Sequence, residues 1–221
     1  MLPQYHDARH HVRNGVIKLV EDLAKINEES LQAVEESSVE ELEKARKELK
    51  KLDDVSEKID NEIVVIFAKF TPGAKDLREI VSYLKITSAL NRVHNNIDSY
   101  LKNMQSILIE DNPQMYSFIK DSLRINHCTL KAFEYTIEML KTFDQDDKIK
   151  KLASQIDVEL NKTEDIYSIL EKDMVQKMSD TDSHAGDYFN LLKYFRKNMK
   201  VIDRLETVAQ RIIYARMGGK L

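Results

Sequence analysis

Asn91 and Asn95 lie four residues apart in a stretch free of helix breakers, so on a helix their side chains point the same way, one turn apart. Thr87, His94 and Asp98 share that stretch. Near the end of the chain Asp203 and Thr207 keep the same interval, Glu206 follows Asp203 by three, and Glu164 sits on an earlier segment. Two side-chain oxygens one turn apart make a platform for a hard or borderline cation. A carboxylate brings the charge that offsets dehydration of the ion, and an amide does not. Asp203 with Glu206 brings such charge, whereas Asn91 with Asn95 offers only neutral amides.

Other reactive side chains point to less. His6 and His10 are one turn apart beside Asp7, with His11 next in line. Paired imidazoles can hold zinc, but a closed or catalytic site takes three or four ligands, so a solvated first turn is the plainer reading. A di-iron enzyme in a helical bundle would need Glu-x-x-His twice; the nearest stretch is Asp7-Ala8-Arg9-His10. Cys128 follows His127 without an identifiable third partner and reads as a buried thiol. With no glycine-rich phosphate loop either, the sequence predicts no enzyme.

The elements that carry these residues are long helices. Tyr83, Ile86, Leu90, Val93, Ile97, Tyr100, Met104 and Ile107 alternate in steps of three and four, which is one helical face. Thr71-Pro72-Gly73 opens that helix and closes the one before. The earlier chain reads as two helices, from about Tyr5 to Val34 and from Ser38 to about Phe70. Between them Ser38 and Glu41 form a capping box, the hydroxyl accepting from the third amide and the carboxylate reaching back. Glu110-Asp111-Asn112-Pro113 is the next break. Three more helices follow: to about Leu140, across the polar turn Phe143 to Asp147 to about Met174, and, after the polar connection Ser179 to Ser183, from Gly186 to Ala215. Gly218-Gly219 is a C-terminal stop.

The two triplets repeat. Leu90, Val93, Ile97 and Tyr100 fall on Ile202, Leu205, Ala209 and Ile212 at constant offset, with Arg92 on Arg204, while Asp76 meets Asp187 one position out of that register. An all-α chain of two tandem three-helix bundles, divided at residues 1–110 and 111–221, follows.

Pro72-Gly73-Ala74-Lys75-Asp76-Leu77-Arg78, then Leu90-Asn91-Arg92-Val93-His94-Asn95, resembles the PhoU family of phosphate-signalling proteins. That family carries proline, alanine and Asp-Leu-Arg at a helix start, then Leu-Glu-Arg-Ile-Gly-Asp. The duplicated bundle is its architecture. The resemblance implies a negative regulator of phosphate uptake that contacts an ABC-type phosphate transporter and a sensor histidine kinase. It also implies iron or zinc on Glu/Asp-x-x-x-Asp pairs. Asn91 and Asn95 replace both carboxylates of the first, degenerate pair, and the second half offers Asp203 with Glu206, and Glu164 on the fifth helix, as candidate metal ligands. The plainer reading is a solvated polar face. A metal-storing or metal-sensing helical protein and a structural scaffold are the alternatives.

Composition bounds the rest. Only 5 glycines and 3 prolines occur in 221 residues, and 33% of residues are charged, which favours helices with solvated faces. A net charge of −4 with interspersed signs speaks against nucleic acid as the partner. The longest apolar run, Ile63 to Ala68, is too short to insert into a bilayer. One cysteine and an opening without secretory character predict a cytoplasmic location. A homodimer is left open.

Overall fold

The computed structural model describes residues 3–110, 112–180 and 185–219, and among them the chain is helical with no strand. The helices are α1 (Pro3–Glu35), α2 (Val39–Lys50), α3 (Val55–Lys69), α4 (Ala74–Glu110), α5 (Pro113–Lys141), α6 (Asp146–Asp180) and α7 (Ala185–Met217). They form two triplets, α1 with α2–α3 and α4, then α5 with α6 and α7. The fold is the expected all-α pair of three-helix bundles, with the second leg of the first bundle broken in two.

That break corrects the expectation of one helix from Ser38 to Phe70. A continuous helix would hydrogen-bond the Asp53 amide to the Leu49 carbonyl. Instead Leu49 accepts from the Leu52 amide at 2.9 Å, and His94 Nε2 of α4 approaches the same carbonyl at 3.0 Å. Nε2 also lies 3.0 Å from Asp53 Oδ1. Both neighbours are acceptors, so Nε2 carries the proton. A side chain from another helix thus occupies the carbonyl on which helix continuation depends, and a tight turn follows.

The other ends obey local chemistry. Ser38 Oγ accepts from the Glu41 amide at 3.3 Å, but only half the capping box forms. The Ser38 amide donates to the Ala33 carbonyl at 2.8 Å, and Glu41 turns to Lys44 at 2.6 Å. Ser37, at φ 53, makes the left-handed turn between α1 and α2. Asn112 caps α5 through the Gln114 amide, with Pro113 in the first turn where its missing N–H costs nothing. Gly218, at φ 84, ends α7 with its amide on the Tyr214 carbonyl. Of the connection expected at 179–183, residues from Thr181 lie outside the described part.

One buried core runs through both triplets. α4 packs most extensively on α7, and α1 packs on α5. Leu90, Val93, Ile97 and Tyr100 of α4 and their repeat mates Ile202, Leu205, Ala209 and Ile212 of α7 are all buried. Each such aliphatic or aromatic side chain contributes about 1.5–3 kcal/mol by leaving water. That seam fixes which residues of α4 and α7 remain outside to meet anything else.

Candidate functional site

The first turns of α4 hold two buried acids, Asp76 and Glu79, at 7% and 5% exposure. Both are answered from the start of α1. Arg9 Nη1 donates to Asp76 Oδ1 at 2.8 Å and lies 3.4 Å from Glu79 Oε2. Arg13 donates through Nη2 to Glu79 Oε1 at 2.7 Å and through Nε to the Tyr83 hydroxyl at 2.9 Å. Tyr83 in turn donates to Glu79 Oε1 at 2.9 Å. The Arg13 guanidinium stacks 4.4 Å from the centre of the Phe143 ring. Buried charges survive only when paired and hydrogen-bonded, and the helix dipole favours carboxylates at this end. Burial and, after it, the Glu79 charge push the Tyr83 hydroxyl far above the ordinary tyrosine range. Tyr5, set edge-on to Phe70, is pushed up to about 12 by burial first and the Asp76 charge next. In the Asp76-Leu77-Arg78 stretch, the aspartate therefore ties α4 to α1. Leu77 is exposed, and Arg78 lies against Gly218, its Nε buried without a hydrogen-bond partner among the described residues.

The polar line of α4 divides in two. Thr87 donates to Asp60 Oδ1 on α3, His94 holds the α2–α3 turn, and Arg46 of α2 donates to Asp98 at 3.0 Å. Burial raises the Asp60 carboxyl, and the Thr87 bond partly opposes it. These residues are packing contacts. Only Asn91 and Asn95 are left exposed in that line.

On α7, Asp203 is exposed and lies 3.7 Å from Arg204, while Thr207 turns its hydroxyl back to the Asp203 carbonyl. Glu206 is half-buried. Its carboxyl is raised by burial first, and by the nearby charges of Asp157 on α6 and of Asp203. Glu164 is exposed on α6. Among the described residues no three His, Cys, Asp or Glu side chains lie close enough to share an ion. Asp203, Glu206 and Glu164 are thus not gathered into one site, and with amides at 91 and 95 the donors present do not fit a multinuclear iron or zinc centre. Of the histidines, His6 and His10 stay together, ring centroids 4.5 Å apart, while His11 turns away to Glu62 on α3. Cys128 is a buried free thiol, raised by burial and by a hydrogen bond with Glu159.

One feature of α7 went unremarked in the sequence although its signal is there. Lys193, Arg196, Lys197 and Lys200 follow the i, i+3, i+4, i+7 spacing of one helical face, and no carboxylate occurs from Tyr188 to Ile202. All four are exposed. With Asn103 of α4 and Tyr194 they line an open groove of about 360 Å³.

Compared with protein families, residues 16–104 match the PhoU domain. That span takes in the α4 start and both asparagines. Compared with solved structures, the chain is similar to PhoU from Pseudomonas aeruginosa, at a TM-score of 0.82 and 19% identity over 97% of this chain and 100% of that one. It is also similar to the phosphate transport system regulatory protein PhoU from Streptococcus pneumoniae, at 0.72 and 16% over 98% and 99%. A search of curated proteins finds no match. Domain match and fold agree with the duplicated helical triplet and the helix-start motif: residues 16–104 match the PhoU domain, and the whole chain shares the fold of the PhoU structures.

Proposed function

We propose that this chain is a cytoplasmic, non-enzymatic regulator of phosphate uptake and phosphate-starvation signalling. It works by protein contacts with an ABC-type phosphate transporter and a sensor histidine kinase, damping both when phosphate is plentiful. The observation that carries this reading is the PhoU domain at residues 16–104 on a fold shared with PhoU proteins over nearly the whole chain. The geometry is compatible with it: polar side chains in the helix-start region serve to lock helices together, as a contact scaffold needs. Among the described residues no helix is long and apolar enough to cross a membrane, so contact with such partners would come from the helical surface. The repeats at 1–110 and 111–221 are its two units.

Deletion of the gene in phosphate-replete cells tests the reading. Phosphate uptake or starvation-gene expression should rise. Unchanged uptake and expression would leave the same fold with a different task.

A further inference from the structure

Among the described residues the groove between α4 and α7 is lined by charge of one sign. Lys193, Arg196, Lys197 and Lys200 form no ion pair with any described residue. Several surface lysines of the first triplet are answered along their own helix, Lys18 by Asp22, Lys44 by Glu40 and Glu41, Lys47 by Glu43 and Lys51 by Glu48, whereas on α7 no carboxylate occurs from Tyr188 to Ile202. In a chain of net charge −4, four adjacent unpaired cations are a local concentration of positive charge.

Its shape selects the occupant. From Lys193 to Lys200 the cations extend about 10 Å along the helix at 1.5 Å per residue. They form a row, so a single small anion meets one or two of them, while an extended polyanion meets all four. Asn103 of α4 borders the row on one side, so the cations line an open groove along α7. Apolar surface accompanies it. Phe189, one turn before Lys193 and 55% exposed, carries the Lys193 ammonium 4.7 Å above its ring, and Tyr194 lines the groove. A bare chain of phosphates makes no use of these rings. A helix with acids at i, i+3, i+4 and i+7 matches the row, and an apolar residue one turn away meets Phe189.

We propose that the α4–α7 groove docks an acidic amphipathic helix of a partner protein. This deepens the regulatory reading by giving the chemistry of one partner surface, and it rests on that reading only for the existence of a partner.

Full-length protein titrated into a labelled synthetic helix with glutamates at that spacing, and leucines one turn before them, gives the test. Fluorescence anisotropy should show saturable binding that weakens with salt. The variant K193E/K197E/K200E should bind it at least about tenfold less, since charges across an interface set both encounter rate and affinity. Because these lysines are exposed and unpaired, the variant should melt as the parent does. The same variant should gain binding to the peptide with lysines in place of glutamates, a restoration that general damage cannot produce. No binding by the parent, or equal binding by the variant, overturns the proposal. So does tighter, lysine-dependent binding of linear polyphosphate or of phosphatidylglycerol vesicles than of the peptide. A gene deletion without a phosphate phenotype would remove the regulatory reading and leave the peptide result intact. Failure of the peptide to bind would leave the deletion result intact.

Discussion

The starts of α4 and α7 are repeat mates closed by different chemistry. At α4, Asp76 and Glu79 are buried against Arg9 and Arg13 of α1. At α7, Asp187 is exposed, and an aromatic contact joins the first helix of its own triplet: Phe118 meets Tyr188 edge-on, 5.6 Å between centroids. The aromatic closure gains from area removed from water and needs no partner charge. The ionic closure gains only while every charge is answered, so it specifies its partners more strictly and tolerates less change.

That contrast is broken or kept by conservative substitutions. Glu79→Gln preserves shape but leaves Arg13 without a carboxylate, while Arg9 keeps Asp76, and should cost about 2–4 kcal/mol in urea unfolding. Phe118→Leu keeps an apolar filler and should cost about 1 kcal/mol. The reverse order would mean that burial, and not charge pairing, holds both ends.

A middle-sized effect lies in the second triplet, whose core is not wholly apolar. Asn198, 1% exposed, donates to Asn126 Oδ1 at 2.6 Å across α5 and α7. Asn198→Ala should cost about 1–3 kcal/mol by stranding Asn126. Replacing both by leucine should recover part of that loss, seen as a higher urea midpoint than the single variant.

Smaller still is the pH effect of Glu206. Burial and the charges of Asp157 and Asp203 hold its carboxyl above the ordinary value. The folded state therefore binds that proton more tightly than the unfolded chain does. Its stabilising contribution is complete below the ordinary carboxyl pKa and is lost as pH rises through the raised one. Glu206→Gln should then raise stability at neutral pH by less than about 1 kcal/mol and change nothing in acid, as thermal melts at both pH values would show.

The least disturbing change to the fold sharpens the comparison of the exposed faces. Asn91→Glu with Asn95→Asp alters two exposed positions one turn apart. We propose that the missing charge is what limits cation binding there. Elemental analysis after dialysis should find more iron or zinc on the double variant than on the parent. Equal loading would place the limit elsewhere.

Much of the frame was legible from local pattern. The apolar period of α4, the punctuation at Pro72, the Asn112-Pro113 start and the glycine stop each act within a few residues, and each marks a helix or an end. The row from Lys193 to Lys200 was legible too, because i, i+3, i+4 spacing and the lack of nearby acids are sequence properties. The broken second leg was not. Leu49 to Asp54 carries no proline or glycine, and its turn depends on a histidine contributed by α4.

By itself, then, the sequence determined where most helices run, though not the break between α2 and α3, which face of each is apolar, and that amides stand at positions 91 and 95. Backbone hydrogen bonds and helical periodicity are set by neighbours within one or two turns, so they can be read in one dimension. Only the tertiary structure decided that Arg9 and Arg13 answer Asp76 and Glu79, that His94 stops α2, and that Glu206 faces Asp157 while Glu164 stands apart. Those pairings join residues tens of positions apart, and many acids and bases in the chain have the right charge for them. The choice among them is made by the packing of buried faces, α4 on α7 and α1 on α5, which brings a few side chains within reach and leaves the rest in water.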